Sequence, residues 1–158
     1  MSDAVAGMYA VLDGRGSSAC EGCGQCCASP WLLPSEAPPG VPVRDEAGVR
    51  FVDTCGACPA LRDGRCGVYA QRPLDCRLYP LDLVRHDGAY VWCIYTDCRD
   101  PDALEAVLAP AIPQLEAAMT LEVFEAFQRQ IEVTRRTYPS YREGRYRVVR
   151  AYGGPGAT

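Results

Sequence analysis

Apolar positions along the chain follow three different rhythms. Near the N-terminus, Val5, Met8, Tyr9 and Leu12 recur at helical spacing and predict a short helix. Between residues 20 and 98 the apolar runs are brief and cut by turn residues. Pro34, Pro38, Pro39 and Pro42 forbid a helix there. Val49 to Val52 predicts a short strand. Asp63-Gly64 is a hairpin turn that delivers Cys66 on its return limb. His86-Asp87-Gly88 marks a second turn, between Leu81–Arg85 and Ala89–Tyr95. Alternation then puts Val91, Cys93 and Tyr95 on one strand face, with Trp92 and Ile94 on the other. Beyond residue 100 the period lengthens. Asp100-Pro101-Asp102 is a helix entry, followed by Leu104, Val107 and Leu108 at helical spacing. Pro110 and Pro113 predict a break or kink. A longer helix is expected from about Pro113 to Arg136, uninterrupted by Thr120 or Thr134. Its stripe of Leu121, Phe124, Phe127, Gln128 and Ile131 is expected to pack under the preceding region. Arg145 to Tyr152 predicts a terminal strand.

These elements predict an α+β fold: a small, irregular, cysteine-rich metal-binding core with short hairpins, packed on C-terminal helices. The length of 158 residues suits one domain. Within it, residues 1–19 form the N-terminal helix and a Gly/Ser hinge. Residues 20–98 hold every cysteine, and residues 101–158 are helical and then basic. No apolar run approaches the ~20 residues of a membrane span, so no membrane association is expected.

Ten cysteines are the feature that points to chemistry. A chain of this size does not need disulfide staples to fold. Its start, Met1-Ser2-Asp3 and then a short apolar stretch, lacks a basic flank and a clear cleavage site. It therefore reads as a helix rather than a signal peptide. A reducing cytoplasm is the expected compartment, and there such a cysteine density points to metal binding. The cysteines form three groups: Cys20-x2-Cys23-x2-Cys26-Cys27; Cys55-x2-Cys58 with Cys66 and Cys76; and Cys93 with Cys98. An x2 spacing lets a tight turn aim two sulfurs at one metal. Adjacent residues send their side chains different ways, so Cys26 and Cys27 argue against one simple four-thiolate site. Gly22, Gly24, Gly56 and Gly67 lie beside cysteines, where a missing Cβ lets backbone N–H groups approach sulfur.

The first signature, Cys20-Glu-Gly-Cys23-Gly-Gln-Cys26-Cys27, is followed by Cys58-Pro59-Ala60-Leu61. Then comes Cys66-Gly-Val-Tyr69-Ala-Gln-Arg72-Pro73-Leu-Asp-Cys76-Arg77-Leu-Tyr79-Pro80, and finally Trp92-Cys93. Over residues 20–98 this pattern resembles the YkgJ-type cysteine-cluster family, the CxxCxxCC domain described as zinc- or iron-chelating. The resemblance implies that Cys20, Cys23, Cys26, Cys27, Cys58, Cys66 and Cys76 hold metal, together with Cys93. Cys55 and Cys98 stand outside the pattern as additions. Arg72 and Arg77 bracket Cys76 and are expected to offset thiolate charge and donate hydrogen bonds to sulfur.

Iron–sulfur and zinc centres both accept four thiolates. The single His, His86, sits at a hairpin and is not expected to be a ligand. The run Cys20, Cys23, Cys26 matches the first three thiols of a ferredoxin-type motif, which favours one or two iron–sulfur clusters, [4Fe–4S] before other types. Zinc is the alternative, since Cys20-Cys23 and Cys55-Cys58 form two CxxC units. The favoured function is an iron–sulfur protein in electron transfer, or an accessory to a protein redox or client partner. A zinc-stabilised binding module and a metal-dependent modifying enzyme of unnamed substrate are the alternatives. No catalytic residues are identifiable. Charge bears on the partner: residues 1–132 carry 10 Arg against 19 acidic residues, net −9, and residues 133–158 carry 6 Arg against Glu143, net +5. The arginine- and tyrosine-rich tail could track nucleic acid, but pairing with the acidic body is favoured.

Overall fold

The computed structural model describes residues 3–15, 30–54, 58–137 and 145–157. The chain opens with helix α1 (Asp3–Leu12). Strands β1 (Trp31–Leu32), β2 (Val43–Glu46) and β3 (Val49–Val52) form an antiparallel sheet of order β1-β3-β2. A two-stranded ribbon follows, β4 (Leu61–Arg62) with β5 (Arg65–Cys66), and then a short helix α2 (Leu74–Leu78). The third sheet is antiparallel, β6 (Leu81–His86), β7 (Ala89–Tyr95) and β8 (Tyr146–Ala151), in that order. Helices α3 (Pro101–Leu108), α4 (Ile112–Ala118) and α5 (Leu121–Thr137) lie between β7 and β8 in sequence. Helices and antiparallel sheets together make the fold α+β.

Among the described residues, three hairpins turn the same way. Ala47-Gly48, Asp63-Gly64 and Asp87-Gly88 each hold two successive positive φ angles, from 49° to 83°. That is the type I′ turn, whose twist matches paired strands. The two Asp-Gly turns were expected. The Ala47-Gly48 turn and strand β2 were not, because Ala is a poor left-handed residue and gives no turn signal. His86 is the last paired residue of β6, opposite Ala89, rather than a turn residue.

The helical region departs from expectation at one point. Asp100 caps α3 as anticipated, accepting from the Ala103 N–H at 3.2 Å. Pro110 sits in a 3-10 turn (Ala109–Ala111), and Pro113 lies in the first turn of α4, which tolerates proline. The single long helix expected from Pro113 to Arg136 is instead two. The chain turns extended at Met119, and Thr120 starts α5 with its hydroxyl accepting from the Val123 N–H at 3.3 Å. The bend between α3–α4 and α5 is 118°. The buried face shifts as a result: Val123, Phe124, Ala126, Phe127 and Ile131 point inward, while Leu121 is 54% exposed. Among the described residues no single helix is long and apolar enough to cross a membrane.

One apolar core joins these pieces. Val5, Met8 and Leu12 of α1 meet Trp31 and Phe51 of the first sheet, Leu74 and Leu78 of α2, and Leu81, Leu83, Trp92 and Ile94 of the third sheet. The helices close it with Leu104, Ile112, Leu115, Phe124 and Phe127. Gly7 lets α1 approach α4, since a Cβ there would lie 3.3 Å from the Ala118 Cβ. The alternation along β7 is as expected. Val91, Cys93 and Tyr95 form a second, smaller cluster with Val84, against which Tyr79 and Tyr146 pack. The described core is thus aliphatic and aromatic. Of the described cysteines, Cys93 alone is fully buried; Cys58, Cys66, Cys76 and Cys98 are half-buried, and Cys98 packs against the core.

Candidate metal centre

Helix α2 carries Cys76, and its two neighbours tie down the chain around the first cysteine run. Asp75 accepts the Trp31 N–H at 3.2 Å, just after the segment 16–29 ends. Arg77 donates to Asp13 at 2.6 Å, just before that segment begins. Cys20, Cys23, Cys26 and Cys27 lie outside the described residues, as does Cys55. The Val52 N–H donates to the Pro30 carbonyl at 2.9 Å. Two stretches, at Asp13 and at Trp31, are thus bonded to α2.

The next two cysteines share the open end of the β4–β5 hairpin. Cys66 pairs with Leu61, and the Cys58 carbonyl accepts the Leu61 N–H at 3.0 Å. Gly67 closes against the same turn, donating to the Ala60 carbonyl at 2.8 Å. A Cβ at Gly67 would sit 3.1 Å from that oxygen, so the close approach favours glycine. Both thiols are half-buried.

The arginines beside Cys76 act on backbone and aromatic groups. Arg77 donates to the carbonyls of Arg72 (2.9 Å) and Ala70 (2.7 Å), and its guanidinium lies 4.3 Å from the Tyr9 ring centroid. It thereby clamps the 70–72 turn to α2 and α1. Arg72 stacks on Tyr69 at 3.6 Å and donates to its carbonyl. Among the described residues, neither guanidinium is hydrogen-bonded to a sulfur.

Cys93 and Cys98 lie on different sides of the third sheet. Cys93 is in the outer cluster, directly across from Asp82, whereas Cys98 packs against the main core. Asp82 is buried and accepts from the Tyr95 hydroxyl at 3.0 Å and the Leu83 N–H at 2.8 Å. Tyr79 stacks on Tyr95 and donates to Asp97 at 3.1 Å. His86 stands four residues along β6 from Asp82, about 13 Å away. Its Nδ1 is 3.1 Å from the Tyr146 hydroxyl.

A group the sequence did not reveal is the Glu36 carboxylate, 6% exposed. It accepts from the Tyr9 hydroxyl, from the Leu33 N–H at 2.8 Å and from the Leu74 N–H at 2.6 Å. Burial pushes its pKa up despite those hydrogen bonds. Burial, then the nearby Glu36 carboxyl, holds the Tyr9 phenol well above its ordinary value. A carboxylate inside a Pro-rich loop has no periodic signature, so nothing in the pattern marked it as buried.

Among the described residues no three His, Cys, Asp or Glu side chains group closely enough to hold a metal. Soft sulfur donors, half-buried at the ends of elements, fit zinc or an iron–sulfur centre. The described fold is α+β, and its thiols are donors of the kind zinc and iron take. The CxxCxxCC family model, described as "Putative zinc- or iron-chelating domain", matches residues 19–99. The chain belongs to this family, and metal binding follows from membership. No curated protein and no solved structure matches it.

Proposed function

We propose that the chain is an iron–sulfur protein that serves electron transfer or a redox partner. Its centre, [4Fe–4S] in type, takes its ligands from among Cys20, Cys23, Cys26, Cys27, Cys58, Cys66, Cys76 and Cys93. The observation that carries the reading is the convergence on α2, where both neighbours of Cys76 bond the chain flanking the first cysteine run. The spacing Cys20-x2-Cys23-x2-Cys26 favours a cluster over zinc. When bound, such a cluster supplies one-electron chemistry. The chain's own part is to hold the thiols half-buried and to limit water around them.

The partner expected is an acidic protein. Around the Cys58–Cys66 hairpin, Arg62 and Arg65 are exposed, and Tyr69 is 50% exposed beneath Arg72. Asp63 is the one acidic residue between Cys58 and Arg72, in a chain whose net charge is −4. Nucleic acid is not favoured, because Arg147 of the tail is engaged by Asp102 and Glu105 of the body.

Anaerobically purified protein is expected to be brown and to contain iron and acid-labile sulfide. Colourless protein with stoichiometric zinc and no sulfide favours a zinc-stabilised binding module instead.

A further inference from the structure

We propose that Glu36 is a positioning residue of the metal centre, its buried carboxylate setting the three segments that frame Cys76. This role rests on the metal-centre reading. The three donors to Glu36 come from three different places: Tyr9 in α1, Leu33 just after β1, and Leu74 at the start of α2. Helix α1 leads into the first cysteine run, β1 leads out of it, and α2 carries Cys76. A second layer fixes the loop that bears Glu36. Arg50 donates to the Glu36 carbonyl at 3.0 Å and to the Pro34 carbonyl at 3.2 Å. The Glu36 N–H also closes on Leu33 at 2.9 Å. Burying a carboxylate is costly, and an apolar side chain of similar size would fill the space as well. What an apolar residue lacks is the ability to accept from three elements at once, which fixes their mutual placement. Outer groups that orient ligands typically govern metal affinity by about 10–100-fold.

The test uses the full reduced chain, free of metal, titrated anaerobically with cobalt(II) alone and read by its thiolate-to-cobalt absorption. Glu36→Gln keeps the size but leaves an amide NH2 facing one of the donors. The comparison is Thr120→Ala, which removes the α5 cap far from every cysteine in sequence and lowers stability by a separate route. Glu36→Gln is expected to weaken cobalt binding about 10–100-fold and to alter the absorption bands, while Thr120→Ala keeps wild-type affinity and bands. Unchanged affinity and bands in Glu36→Gln overturn the proposal, as does a loss matched by Thr120→Ala. If Glu36→Gln does not fold, Tyr9→Phe decides. A loss of about tenfold supports the role, and wild-type affinity overturns it. Wild-type protein that binds no cobalt overturns this role, and the metal-centre reading falls as well only if the same preparation also lacks iron, sulfide and zinc.

Discussion

Two phenols report on burial at the residue scale. Tyr9 is held by Glu36, and Tyr152 is buried against Phe124 and near Glu116. Burial first, then the Glu116 carboxyl, pushes the Tyr152 phenol up to about 12. Tyr9 lies higher still, through its own burial and the Glu36 carboxyl beside it. In the unfolded chain both ionise near an ordinary pKa of about 10. Above that pH the unfolded chain releases protons that the folded one keeps, so stability falls as pH rises through the alkaline range. Denaturant unfolding of wild-type protein is expected to weaken progressively above pH ~10, and Tyr9→Phe to flatten that slope. Equal slopes in the two proteins contradict the burial of Tyr9. Glu36 and Asp82 mark where the sequence was least legible. A buried carboxylate is defined by donors from distant segments, and neither loop nor strand pattern announces those. Cys93 was legible, because strict alternation along β7 put it on a face with Val91 and Tyr95.

At the element scale, turn chemistry decided what could be read. Asp63-Gly64 and Asp87-Gly88 carry their backbone angles in their residue types, so both hairpins were foreseeable. Ala47-Gly48 forms the same turn with a residue that disfavours it, and its hairpin was missed. Ala47→Asn is expected to raise stability by about 0.5–1 kcal/mol, since Asn tolerates the left-handed region. The α4–α5 break was missed for a different reason. Apolar spacing continues through residues 115–131, and Thr is tolerated within a helix, so periodicity alone joins the two. The Thr120 hydroxyl instead caps the start of α5. Thr120→Ala is expected to cost about 1 kcal/mol, a drop in Tm of roughly 3 °C for a chain of this length. An unchanged Tm contradicts the cap.

The described molecule is a helical and sheet scaffold around an apolar core, with four of its five described cysteines half-buried. Its function depends on whether separate cysteine groups meet. Trp31–Asp75 and Asp13–Arg77 tie α2 to the described chain on either side of residues 16–29, and Val52–Pro30 joins the end of β3 to the residue before β1. Cys98 is set apart from Cys93, packed against the main core. Cys76→Ser is therefore expected to abolish metal retention, while Cys98→Ser keeps it. Equal loss in both variants makes Cys98 a ligand. The charge division seen in the sequence also has a physical form: the basic tail returns as β8, where Arg147 meets Asp102 and Glu105. Arg62 and Arg65 of the β4–β5 hairpin are exposed, as are Arg145 and Arg150 on either side of Arg147.

Iron, zinc and acid-labile sulfide determined together on anaerobically purified wild-type protein, with Cys76→Ser beside it, give the most direct test of the centre. Iron and sulfide in comparable amounts, lost in Cys76→Ser, are the expected result. Zinc without sulfide, or iron and sulfide retained in full by Cys76→Ser, would contradict an iron–sulfur centre built around α2.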